Sequence, residues 1–304
     1  MRIGIDATAL PSQPFGAANY IVNLVQALLR VDTTNDYVIF AKPLHVPLFE
    51  KRQRVQVIGV PLATRILRIA WEQTGLPWLT QEHRLDVLHS PHYTMPFAAR
   101  CATVVTFHDM TFFLYQDKHL FYKQLFFRLM IPWSARRADA LIAILVRAFA
   151  RVVQSGLPHS LVMAGSRGWM DTEVFSTIEE LGLLSRVCFA GYVPQPDLPA
   201  LYSAAELFVY PSLYEGFGLP VLEAMACGAP LVTSNVSSMP EVAGDAGLLV
   251  EPSDVDALSN AMQRVLTDRA LRDTLGSKGQ ARAQTFSWER TARETLAVYR
   301  HVAT

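Results

Sequence analysis

The chain has 304 residues, 51% hydrophobic and 18% charged, with 27 basic and 27 acidic side chains. That length and composition suit a globular protein with room for two domains and exclude a disordered chain. A formal net charge of zero, a pI near neutrality and the lack of any basic run argue against nucleic acid as a partner.

The amino terminus, Met1-Arg2-Ile3-Gly4-Ile5-Asp6, begins as a strand and lacks the apolar stretch of a signal peptide, and no apolar run reaches bilayer-spanning length. Cys101, Cys188 and Cys227 are odd in number, scattered and flanked by apolar residues, which predicts buried thiols in a reducing cytoplasm and no zinc site. After the strand Arg2 to Asp6, a loop with Pro11, Pro14 and Gly16 leads to a helix from Asn19 to Arg30. Strand, glycine-bearing loop and helix open a Rossmann-like unit, yet no G-x-G-x-x-G is present, which counts against a dinucleotide cofactor.

Tyr37 to Phe40 and Val55 to Ile58 read as strands, and Arg65 to Leu79 as a helix. Leu85 to His92 and Thr103 to Asp109 each read as a strand ending in polar residues, so His89, His92 and His108 fall at the edge where open α/β sheets bind ligands. Residues His119 to Ala135 mix aromatic side chains with cations. That mixture suits a helix packed on its own domain, or one that touches a membrane surface.

Ala138 to Ile144 reads as a strand and Leu145 to Val153 has helical periodicity, with nothing between them. Strand-to-helix connections usually need about two to six residues. The junction at 144/145 therefore predicts that an internal segment is absent.

Further on, Ser160 to Gly165 reads as a buried strand entering a turn that carries Arg167, and Arg186 to Pro194 as a strand and turn. Glu206 to Ser212 is an apolar strand, and a turn with Gly216 and Gly218 then enters a helix that stops at Gly228. Unpaired N–H groups at the helix start make this a place for a phosphate or sugar oxygen. Glu215 and Glu223 flank the turn, their α-carbons on the order of 10 Å apart, so one extended ligand could touch both.

The stretch EGFGLPVLE, with the following Ala226-Cys227-Gly228-Ala229-Pro230-Leu231-Val232, resembles the signature of retaining family-4 glycosyltransferases of the GT-B fold. The resemblance implies an α/β chain of two Rossmann-like domains facing across a cleft. Residues 1–144 would be the acceptor-side domain, 145–284 the nucleotide-sugar donor domain lacking its first strand, and 285–304 a terminal helix crossing back. It implies that Glu215 meets donor-sugar hydroxyls, that Glu223 meets the ribose, and that the amides of Gly216, Phe217, Gly218 and Leu219 meet sugar and diphosphate. His108, within VVTFHDMTFF, would lie beside the reacting sugar. Arg167 would approach the donor diphosphate and the loop of Gly16 the donor phosphate or the acceptor, although Ala17 stands where the family usually has a second glycine.

The function implied is transfer of a hexose, first of all mannose from GDP-mannose, from a nucleotide diphosphate sugar to an acceptor hydroxyl in surface polysaccharide or lipid-linked glycan synthesis. No cofactor and no metal are expected. The partners expected are the donor and a glycan or lipid-linked acceptor, with the chain cytoplasmic and in peripheral contact with the inner face of the membrane. The alternative is a nucleotide-sugar binding remnant without turnover, because the segment absent at 144/145 would normally supply an Arg and a Lys to the diphosphate.

Overall fold

Ile3 and Ile5 are fully buried in the strand that organises the amino-terminal sheet. The structure, a computed structural model, describes residues 1–12, 16–49, 53–108, 142–165 and 173–303. It divides into one unit of Met1–His108 with Phe286–Thr304 and another of Asp109–Thr285. In the first unit the elements run β1 (Arg2–Asp6), α1 (Ala17–Val31), β2 (Asp36–Ala41), β3 (Val55–Gly59), α2 (Arg65–Glu82), β4 (Val87–Ser90) and β5 (Ala102–Val105). The second holds α3 (142–154), β6 (Leu161–Ala164), α4 (Glu173–Glu180), β7 (Val187–Gly191), α5 (Leu198–Ala204), β8 (Phe208–Tyr210), α6 (Leu219–Ala226), β9 (Leu231–Ser234), α7 (Met239–Ala243), β10 (Gly247–Val250), α8 (Val255–Thr267) and α9 (Arg269–Ala283). The terminal helix α10 (Trp288–Val302) belongs to the first unit.

The first sheet is parallel throughout, in the order β3-β2-β1-β4-β5. Ile21, Leu24, Val25 and Leu28 recur at helical spacing, so α1 buries one apolar stripe against β1 and β2. Ala292, Leu296 and Tyr299 of α10 complete that layer. A second cluster holds Leu76 of α2 with Phe40, Leu85 and Leu88. Thr64 caps α2, its hydroxyl accepting from the Leu67 N–H at 3.2 Å.

In the second unit, Val146, Phe149 and Val152 of α3 pack with residues of both β6–β7 and β8–β10. Among the described residues these strands form two separate parallel sheets, β6-β7 and β10-β9-β8, and no described strand bridges β6 and β8. Here several expectations change. The strand expected over Ala138 to Ile144 is helical from 142 onward, and α3 runs unbroken through 144/145. An apolar run of that length fits either state, and the helix is the form that puts Ile142, Leu145, Val146 and Phe149 into one core. Ile142 and Ile144, expected at the end of the first domain, pack against the core of the second unit.

Cys188 is exposed, while Cys101 and Cys227 are intermediate, so the thiols are not all buried. Cys188 and Val162 lie on the alternate face of β6–β7 and are both exposed, Val162 to 49%. The expected helix His119 to Ala135 lies outside the described residues. Among the described residues no helix is long and apolar enough to cross a membrane.

Candidate functional site

At the carboxyl end of β8 the chain turns through Glu215, Gly216, Phe217 and Gly218 into α6. Gly218 is the N-cap at φ 95°, ψ 46°, a left-handed conformation, and a Cβ placed there would collide with Met239 Cε. Pro220 sits in the first turn, where its missing N–H costs nothing, and no side chain caps the helix. Gly216 is exposed and Phe217 is 39% exposed, so the turn offers backbone and the positive end of a helix dipole to a ligand.

Glu215 is clamped from both sides. Ser237 Oγ accepts from the Glu215 N–H at 3.1 Å and donates to the Glu215 carbonyl at 2.7 Å, and Ser238 Oγ donates to the same carbonyl at 3.0 Å. Tyr210 Oη donates to Glu215 Oε1 at 2.6 Å and Ser212 Oγ donates there at 3.3 Å. Burial, then the Glu215 charge and hydrogen bond, hold the Tyr210 hydroxyl well above its ordinary range, so it stays a donor. Ser237 adopts φ 58°, costly for a non-glycine residue and worth keeping only where the surroundings enforce it.

Glu223, on the second turn of α6, accepts a hydrogen bond at Oε2 from Tyr202 Oη of α5 at 3.2 Å. Burial raises its carboxyl pKa, with the Tyr202 bond opposing. Sequence reasoning missed Tyr202, Tyr210, Ser237 and Ser238. Tyr210 and Ser212 flank the turn and were visible as polar groups at a strand end. The left-handed Ser237 carries no sequence signal.

In the first unit Gly16 is the exposed N-cap of α1 at φ 53°, with open space where a Cβ would stand. His108 follows β5, and its Nε2 donates to the Pro91 carbonyl at 2.9 Å, which fixes the ring proton on Nε2. Tyr20 and Tyr93 lie edge-on to the ring at 5.1 and 5.7 Å. His89 is a core residue: Nδ1 is 2.6 Å from Tyr299 Oη, Nε2 is 2.8 Å from Thr106 Oγ1, and burial, then His92 and His108, push its pKa down to about 3. His92 is buried beside Asp6 and Glu72. Arg167 lies outside the described residues. The structure thus gathers Glu215, Gly216, Phe217, Gly218, Leu219 and Glu223 on one turn and helix of the second unit, and places Gly16 and His108 in the first.

Two family models match the chain, "Glycosyltransferase Family 4" over residues 15–162 and "Glycosyl transferases group 1" over residues 136–282. The O-antigen chain mannosyltransferase B of Escherichia coli is 46% identical over 148 residues, which is 49% of this chain and 39% of that protein. An MMP alpha-(1->4)-mannosyltransferase of Mycolicibacterium hassiacum is 45% identical over 127 residues, 40% of this chain and 31% of that protein. The matched stretches thus span well under half of either relative's length. Among solved structures, a sucrose-phosphate synthase from Thermosynechococcus elongatus has a TM-score of 0.70 at 22% identity, over 99% of this chain and 98% of its own. A glycosyltransferase from Rickettsia africae has a TM-score of 0.72 at 13% identity, over 99% and 98%. The fold they share is the parallel-sheet α/β architecture of GT-B proteins. With its two halves matched from residue 15 to residue 282, the chain belongs to the family-4 glycosyltransferases of the GT-B fold.

Proposed function

We propose that the chain is a retaining hexosyltransferase that takes mannose from GDP-mannose and passes it to an acceptor hydroxyl in surface polysaccharide or lipid-linked glycan synthesis. The observation that carries this reading is the Glu215 clamp. Two side chains, Tyr210 and Ser212, hold the Glu215 carboxylate and two more, Ser237 and Ser238, hold its backbone beside an uncapped, glycine-built helix start, while Glu223 stands on the same helix. The mannosyltransferase names of the relatives support the choice of sugar. The Gly216, Phe217, Gly218 and Leu219 amides, with Arg167, stabilise the charge that develops on the departing diphosphate. Glu215 orients the sugar through its hydroxyls, Glu223 holds the ribose, Gly16 approaches the donor phosphate and His108 bonds beside the reacting centre. No cofactor or metal takes part, and the protein works in the cytoplasm, touching the inner face of the membrane where its acceptor lies.

A panel of GDP-, UDP-, ADP- and dTDP-sugars tests the reading by thermal shift and by release of labelled sugar. GDP-mannose is expected to give the largest shift, and Glu215→Gln to cut turnover by about 10²- to 10³-fold without lowering the melting temperature. No shift with any donor sinks the proposal.

The separation of β6–β7 from β8–β10 among the described residues favours a second reading, a protein that binds nucleotide sugar without turning it over. Donor-dependent stabilisation with no transfer at micromolar enzyme selects it.

A further inference from the structure

At the carboxyl ends of β1 and β4 the first unit gathers two carboxylates, an imidazole and a guanidinium. His92 Nε2 lies 3.4 Å from Asp6 Oδ2 and 3.3 Å from Glu72 Oε2. Asp6 is fully buried and Glu72 nearly so. The three ligand atoms fall within 4.8 Å of one another, a spacing that a divalent cation can span. However, Arg68 Nη1 sits 2.7 Å from Glu72 Oε2 and 3.1 Å from His92 Nε2. The cluster therefore carries its own cation at two of the three positions, and its purpose is to be sought in what it holds.

What it holds is the irregular segment 91–97 that follows β4. Thr94 Oγ1 donates to Glu72 Oε2 at 2.8 Å, Gln73 Nε2 donates to the Met95 carbonyl at 3.0 Å, and the Phe97 N–H donates to Gln73 Oε1 at 3.1 Å. Gln73 Nε2 also donates to Glu72 Oε1 at 3.0 Å, so the two neighbours on α2 act as one fixture. Burial alone would raise the Glu72 carboxyl, but hydrogen bonds from His92, Thr94 and Arg68 take it down to about 2, so it stays an ionised acceptor. The same segment presents the Pro91 carbonyl on which His108 Nε2 rests at 2.9 Å, and Tyr93 against the His108 ring.

We propose that Glu72, with Arg68 and Gln73 of α2, is a positioning residue for His108: it fixes segment 91–97, and through the Pro91 carbonyl that segment sets the tautomer and orientation of the imidazole. The relevance to catalysis rests on His108 lying at the transfer site, whereas the positioning itself does not.

The test uses the full chain labelled with ¹⁵N-histidine, in which long-range ¹H–¹⁵N spectra report the His108 tautomer, together with kcat and KM for donor. Glu72→Ala is expected to move His108 from the Nε2–H form to a tautomer mixture. It is also expected to lower kcat by on the order of 10²-fold with donor KM unchanged, the size of effect that a small misplacement produces. Glu72→Gln, which keeps an acceptor for Thr94 and Arg68, restores most of both readouts. Should Glu72→Ala not fold, Gln73→Ala releases the same segment while leaving the ionic cluster intact, and it carries the same expectation. Unchanged His108 resonances in the folded variants overturn the proposal. A tautomer change in a protein whose wild type transfers no sugar upholds the positioning and sinks the proposed function instead.

Discussion

The two units are built on the same α/β plan, and among the described residues they differ in whether the sheet is continuous. In the first, β1 pairs with β2 on one side and β4 on the other, and Ile3 and Ile5 are wholly buried. In the second, β7-β6 and β8-β9-β10 reproduce the two flanks of such an order, but among the described residues no strand joins them. The entrances to β6 and β8 still lie side by side, His159 Nε2 standing 3.5 Å from Glu206 Oε1, and α3 packs against both sheets. A shared apolar layer therefore holds the two sheets together, with no ladder between them among the described residues. The loss shows at Val162, half exposed in a strand of a kind normally buried on both faces.

The sharpest way to break this comparison is to cut equivalent side chains from the two sheets. Ile5→Ala is expected to destabilise the first unit by about 2–5 kcal/mol, and Val162→Ala to change stability by about 0.5 kcal/mol or less. Urea unfolding followed by hydrogen exchange of each unit reads both. Equal losses would mean that β6 is covered in solution.

The glycines at the two helix starts give the next contrast. Gly218→Ala meets both a left-handed backbone and the Met239 side chain, so it is expected to cost about 2–4 kcal/mol. Gly16→Ala, with open space around it, costs about 1–2 kcal/mol from the backbone alone. The melting temperatures of the two variants decide whether Met239 packing or backbone conformation dominates at Gly218.

Acid sharpens the comparison least, and acts on the first unit. His89 is pushed from 6.5 to about 3, so between those values the unfolded chain binds a proton that the folded one refuses, and stability falls as pH drops through that window. Glu72, depressed from 4.5 to about 2, contributes fully above 4.5 and loses that contribution as pH falls toward 2. His89→Gln is expected to flatten the slope of unfolding free energy between about pH 6.5 and about pH 3, as urea midpoints across that range would show.

Much of the fold was legible because periodicity and punctuation agreed. Asp254 caps α8, its carboxylate accepting from the Ala257 N–H at 2.9 Å, and the apolar repeat of Trp288 to Val302 coincides with α10. The Glu215 to Glu223 turn was legible because two glycines and a proline admit few backbone paths. The run from 138 to 144 was misread where it is described, since apolar residues without a turn signal suit strand and helix alike until packing chooses. The groups that hold Glu215, and the α2 side chains behind His108, were not legible. They act from positions distant in sequence, and a tyrosine or serine in a strand or loop has no pattern that names its partner.

The place of α10 bears on how the protein is made. Its Leu296 and Tyr299 seal a core whose other walls are α1 and the strands of the first unit. On a ribosome adding about 5–20 residues per second, those walls emerge first and wait on the order of ten seconds or more for their last helix. Throughout that interval the core that Leu24 and Leu28 share with Leu296 and Tyr299 is incomplete, so the first unit, though made first, closes its core only when the last helix has been added.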